Sequence, residues 1–123
     1  MIQEDKQLLL KDICARLPYG VKIKLIWWGI DEGLYINTTL EPDNIERLLN
    51  DKDGDTEIKP YLFPLSSMTE EQKKEYQYIT ERWMYDSSYS ISDSIDWLNK
   101  NHFDYRGLIP MGLSIDATNL NIY

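Results

Sequence analysis

The only imidazole of the chain sits in a run of polar side chains, His102-x-Asp104-x-Arg106. A histidine oriented by a carboxylate can act as a general base, and an arginine beside it can hold an anion. These three residues form the candidate polar site, and a hydrolase using His102 and Asp104 is the catalytic reading. A general base needs a nucleophile or a metal to act on, and the sequence identifies neither. The competing reading is structural. His102 falls near the C-terminus of an expected helix, where a donor meets free carbonyl groups. Asp104 and Arg106 then make a local ion pair that orders a loop.

Three other groupings invite chemistry and have plainer explanations. Asp51-x-Asp53-x-Asp55 resembles the start of a calcium loop, but that loop needs Gly at its sixth position and a bidentate Glu at its twelfth. Those positions hold Thr56 and Leu62, and Lys52 adds a cation, so a solvated turn is expected. Ser66-Ser67-Met68-Thr69 precedes a helix, where free N–H groups attract anions. Glu70 and Glu71 follow at once and repel a phosphate, so this is read as helix capping. Cys14 lies near Lys11 and Arg16 but shares a stripe with Leu10 and Leu17, which predicts a small buried hydrophobe. No metal site and no cofactor motif emerges.

Trp27-Trp28 is a different signal. Neighbours in a strand point to opposite faces, so one core cannot take both rings. With Tyr35 on the next strand they are the candidate binding surface, since Trp and Tyr give large contact area with few rotors to freeze. Whether Trp28 is covered by another element or exposed stays open at the level of sequence.

Several elements must position these groups. Leu10, Ile13, Cys14 and Leu17 recur at helical spacing over 3–17, and Pro18 ends that helix. Val21 to Trp28 alternates as a strand, 29–33 is a hairpin loop, and Leu34 to Leu40 returns. In 44–50, Ile45, Leu48 and Leu49 fit a helical face, but the run is short and lies between strand-like segments, so a third strand is expected. Pro60 and Pro64 make 57–65 extended or irregular. Thr69 and Gln72 match a capping box for a helix reaching about residue 85. Ser90 or Ser92 caps a last helix with Ile91, Ile95 and Leu98 inside, Trp97 flanking, and an end near Asn101. The fold class is α+β in one domain, residues 1–123: an N-terminal helix, a small antiparallel sheet over about 21–60, and two C-terminal helices packed on it.

The chain of 123 residues is long enough to bury an ordinary core. Its apolar fraction of 42% excludes a disordered chain. A formal charge of −8 excludes a general binder of the nucleic-acid backbone, which needs clustered cations. Residues 1–60 carry eight cations and twelve anions and residues 61–123 five and nine, so each half is −4. Glu70, Glu71, Glu75 and Glu81 are interrupted by Lys73, Lys74 and Arg82, which is a solvated helix face rather than a DNA mimic. A single cysteine, a charged opening Gln3-Glu4-Asp5-Lys6 and no apolar run near ~18 residues predict a cytoplasmic protein without a membrane span.

Three blocks of the sequence, KDICARLPYGVKIK (11–24), EIKPYLFPLSSMT (57–69) and DWLNKNHFDYRGLIPMGL (96–113), resemble a family of small proteins encoded by gut anaerobic bacteria, their prophages and their phages. The segments at about 26–56 and 70–95 look like the divergent part of that family. No catalytic residue comes with the resemblance. It implies an accessory factor of a phage or mobile element, acting on a host protein or sequestering a nucleotide-derived defence signal. Two functions follow as expectations. One is a non-enzymatic module that binds a protein partner or a second copy of itself. The other is a small-ligand sponge, with Trp28 or Tyr105 stacking a nucleotide and Lys22, Lys24 and Arg106 supplying charge.

Overall fold

The computed structural model describes residues 2–27, 34–51, 54–88 and 90–123. Among these, four α-helices and a five-stranded sheet follow the expected α+β order. Helix α1 (Gln3–Arg16) comes first, then strands β1 (Lys22–Trp27) and β2 (Leu34–Thr39), helix α2 (Pro42–Leu49) and strand β3 (Thr56–Pro64). Helices α3 (Glu70–Tyr85) and α4 (Ile91–Lys100) precede two short strands, β4 (Phe103–Asp104) and β5 (Ile115–Asp116).

β1 is the middle of an antiparallel meander, with Leu25 opposite Ile36 of β2 and Ile58 of β3. The expected antiparallel sheet over 21–60 is therefore present, but it continues as a mixed sheet. β3 runs on and pairs in parallel with β4 at Phe63↔Phe103 and with β5 at Tyr61↔Ile115. The prolines do not prevent this. Leu40 N–H donates to Val21 O (2.9 Å), so odd-numbered residues of β1 bond β2 and even-numbered ones bond β3. Lys59 then turns its backbone toward β1, and Pro60, which lacks an N–H, faces away from that ladder.

Beyond Ile23↔Pro60 the β1–β3 ladder opens, and a side chain takes the next rung. Lys22 N–H donates to the Tyr123 hydroxyl (2.8 Å), which donates to Tyr61 O (2.7 Å). Burial pushes the Tyr123 phenol well above its usual pKa, so it stays a donor.

Three expectations about helices need correction. Residues 44–50 belong to α2, not to a third strand. Pro42 stands in the first turn, where its fixed φ and missing N–H suit a helix, and Glu41 N–H donates to Asn44 Oδ1 (2.8 Å). In α1 the inner face is Leu9, Asp12, Ile13 and Arg16, while Cys14 is exposed. The helix is turned by roughly one residue, or 100°, because Asp12 and Arg16 neutralise each other inside. In α4 the inner residues are Ser94, Trp97, Leu98 and Asn99, while Ile91 and Ile95 are exposed. Trp97 carries more apolar area than either isoleucine. It stacks on Phe103 at 5.7 Å and donates its Nε1–H to Glu75 Oε1 (2.9 Å). The capping box of α3 forms as expected, with Gln72 N–H on Thr69 Oγ1 (3.1 Å) and Thr69 N–H on Gln72 Oε1 (2.9 Å).

Two clusters fill the interior. Leu9 and Ile13 of α1, Val21, Ile23 and Leu25, Leu48 of α2, and Ile58 and Leu62 of β3 form the larger, with Leu108 and Leu113 from the C-terminal segment. Trp97, Leu98 and Phe103 form the smaller, flanked by Tyr76 and Ile79 of α3.

Candidate functional site

The segment after α4 carries the candidate polar site. Its backbone explains where each side chain goes. His102 follows the C-cap Asn101 with φ 63°, a left-handed position that ends the helix, and its N–H donates to Asn99 O (3.1 Å). Asp104 then lies in β4, and its two oxygens accept the N–H groups of Leu108 and Ile109, both at 2.9 Å. This pins a loop that turns at Gly107, where φ is 76°.

Arg106 does not pair with Asp104. It reaches 94 residues back to Asp12, Nη1 to Oδ1 at 2.8 Å. The other Asp12 oxygen accepts from Arg16 Nε (2.8 Å), and Arg16 Nη2 donates to Phe103 O (2.7 Å). Asp12 and Arg16 are both fully buried. Both guanidinium groups lie over the ring of Tyr105, at 5.2 Å for Arg16 and 4.6 Å for Arg106. The Tyr105 hydroxyl donates to Asn99 Oδ1 (2.9 Å). The expected local ion pair is thus replaced by a long-range one that fastens the C-terminal segment to α1.

His102 stands beside this seam. Its ring stacks on Tyr123 with centroids 3.8 Å apart. Burial first, and the nearby Arg16 charge second, lower its pKa from 6.5 to about 4. His102 Nδ1 and Arg16 Nη1 are buried without a hydrogen-bond partner among the described residues. His102, Asp104 and Arg106 therefore do not converge on a common point. Both Asp104 oxygens accept from backbone donors, and Arg106 is committed to Asp12. The arrangement holds chain segments together and gives no geometric support to a hydrolase. The spacing that sequence reasoning missed is Asp12–Arg16, an i,i+4 pair of opposite charge that was legible as such.

The aromatic candidates separate too. Residues opposite each other in the meander share a face, so Tyr35 lies with Ile26 and Glu57, and Trp27 lies on the other side. Trp27 packs against the larger core cluster, with the Arg47 guanidinium 5.7 Å from its ring. Tyr35 is 59% exposed, and the Lys24 ammonium sits 4.2 Å from its ring centroid. Trp28 lies outside the described residues. Lys22 and Lys24 share the Tyr35 face, whereas Tyr105 and Arg106 belong to the seam.

The Asp51 turn is local. Its carboxylate accepts from Asp55 N–H (3.1 Å) and Thr56 N–H (3.0 Å), while Asp53 lies outside the described residues. Among the described residues no group of three or more His, Cys, Asp or Glu is placed to hold a metal ion. No described helix is long and apolar enough to cross a membrane.

A cleft of about 680 Å³ opens between the first turns of α1, the end of α2 and the start of β3. Leu9, Leu48, Ile58 and Leu113 line its floor. Its rim carries Asp5, Asp51 and Glu57 beside Lys6 and Lys59, so it selects no single ligand charge.

Several large apolar side chains are exposed elsewhere, on the α3–α4 hairpin. Tyr76 meets Trp97 at 5.4 Å and Thr80 Oγ1 meets Ser94 Oγ at 3.4 Å, which sets the register of the α3–α4 hairpin. Continuing that register brings Trp83 and Met84 level with Ile91. At this end Met84 is 61% exposed, Tyr85 83% and Ile91 63%, with Trp83 and Ile95 each 39%. Compared with protein-family models, curated proteins and solved structures, the chain matches none.

Proposed function

We propose that the protein is a non-catalytic binding module that takes a protein partner, or a second copy of itself, on the open end of the α3–α4 hairpin. One observation carries this reading: Trp83, Met84 and Tyr85 at the end of α3 and Ile91 and Ile95 at the start of α4 are all exposed. An apolar patch is costly to leave in water, and burying each such side chain is worth about 1.5–3 kcal/mol. Aromatic and methionine side chains are also the types enriched in interface centres. Of the surface expected from sequence, Trp27 and Tyr35 lie on opposite faces of the sheet and Trp28 lies outside the described residues. The family resemblance supports an accessory factor of a phage or mobile element, working in the cytoplasm on a host protein.

The test pairs light scattering after size exclusion with capture from a host lysate, using wild type and a Trp83→Ser/Met84→Ser/Ile91→Ser variant. Exposed positions tolerate substitution within about 0.5 kcal/mol, so the variant should stay folded and lose association. A wild type that is strictly monomeric and captures nothing sinks the reading. So does a variant that associates like wild type.

A further inference from the structure

β2 is the last strand of its sheet, in the order β2-β1-β3-β4. Because Leu40 N–H bonds Val21 O, residues 36 and 38 direct their backbone groups at β1. Tyr35, Asn37 and Thr39 direct theirs outward. Among the described residues no strand pairs with that outer edge. Each outward residue offers one donor and one acceptor.

Native sheets guard such edges with lysine, proline, bulges or a covering element. β2 reads Leu-Tyr-Ile-Asn-Thr-Thr, without charge or proline, and pairs with β1 through six successive residues without a bulge. Both of its faces reach water, with Tyr35 59% and Ile36 47% exposed.

The charge on one face narrows what could pair there. Lys24 lies directly opposite Lys59 on β3, with Lys22 two residues along β1, in a chain whose net charge is −8. Like charges facing each other across a sheet are unfavourable. Glu57 offsets one of them, at 3.3 Å from Lys59 Nζ. The Lys24 ammonium leans outward over the Tyr35 ring of β2. A strand added beyond β2 would lie about 4.8 Å further out, which brings a carboxylate on its near face within reach of Lys24.

We propose that the outer edge of β2 accepts an extended acidic segment of a partner as an added strand, with its carboxylates facing Lys24 and Lys22 and its apolar side chains on Ile36. Main-chain hydrogen bonds would supply affinity and the lysine face would supply selection. The site is separate from the hairpin end, so the variant that disables one leaves the other to be tested.

Fluorescence anisotropy tests this with four labelled probes: a blocked (Val-Glu)4 peptide, a (Val-Lys)4 peptide, and (Val-Glu)4 N-methylated either at every Val or at every Glu. The acidic probe should bind at least about tenfold more tightly than the basic one. N-methylation in the register that meets the edge should abolish binding, because it removes the donors. Lys24→Glu, with its fold checked by circular dichroism, should reverse the charge preference. If that variant misfolds, the four probes on wild type still decide. Equal affinity for both charges, undiminished binding of both N-methylated registers, or no binding at about 1 mM overturns the proposal. A dimer that excludes the acidic probe also overturns it, since the edge would then belong to a second copy.

Discussion

Asp12→Ala should be among the most damaging single substitutions in this protein. Asp12 and Arg16 are both 0% exposed, and Asp12 alone bridges Arg16 to Arg106, each at 2.8 Å. Without it, Arg16 keeps the Phe103 carbonyl and the face of Tyr105, and a buried guanidinium loses its counter-charge. Breaking a buried pair by removing one partner costs about 3–5 kcal/mol. For a domain of this size that corresponds to roughly 10–20 °C in Tm. Urea unfolding followed by tryptophan fluorescence and circular dichroism measures it. Asp12→Leu/Arg16→Met sharpens the argument by removing both buried charges and leaving Arg106, whose side chain is 16% exposed, free to turn outward. The double variant should recover most of the loss, because an apolar replacement of a buried pair is often neutral. A loss under about 1 kcal/mol for Asp12→Ala, or a double variant no better than the single, refutes the reasoning.

Two more predictions address the C-terminal segment. Tyr123→Phe removes the hydroxyl that joins Lys22 N–H to Tyr61 O, and should cost about 1–2 kcal/mol. It should also speed hydrogen exchange at the Lys22 amide, and an unchanged exchange rate would show that the rung carries no load. His102 binds its proton less readily folded, near pH 4, than unfolded, near 6.5. Its contribution to stability is complete above pH 6.5 and is lost as pH falls from there toward 4. His102→Asn suits the left-handed backbone and should flatten that part of the Tm–pH curve. Parallel curves for the two proteins would count against the assignment.

Elements whose local signals agree were legible in the sequence. The Thr69–Gln72 box fixed the start of α3, and alternation from Val21 located β1. Two of the corrections share a cause: in α1 and α4 the count of apolar residues predicts the inner face, and a polar interaction or a bulkier ring decides instead. In α1, paired charges enter the interior, which no hydrophobic pattern predicts. In α4, an indole whose N–H finds Glu75 displaces two isoleucines. In α2, Pro42 was the available signal, and its place in a first turn outweighed the strand-like neighbours.

The polar run at 102–106 shows why closeness in sequence was the wrong measure of a site. Its three residues lie within five positions but in three backbone settings: a left-handed helix end, a parallel strand and a turn. Each setting aims its side chain at a different partner, so the segment acts as a fastener with α1 and Tyr123 as its anchors. Through the Phe103 carbonyl and through Tyr105, which bonds Asn99, this fastener ties β4 and α4 to α1. Away from it, the hairpin end presents exposed apolar side chains, and the β2 edge presents backbone groups with no strand partner among the described residues. Variation is easiest to accommodate where the core does not constrain the side chains, and that is also where partner choice can change without loss of the fold.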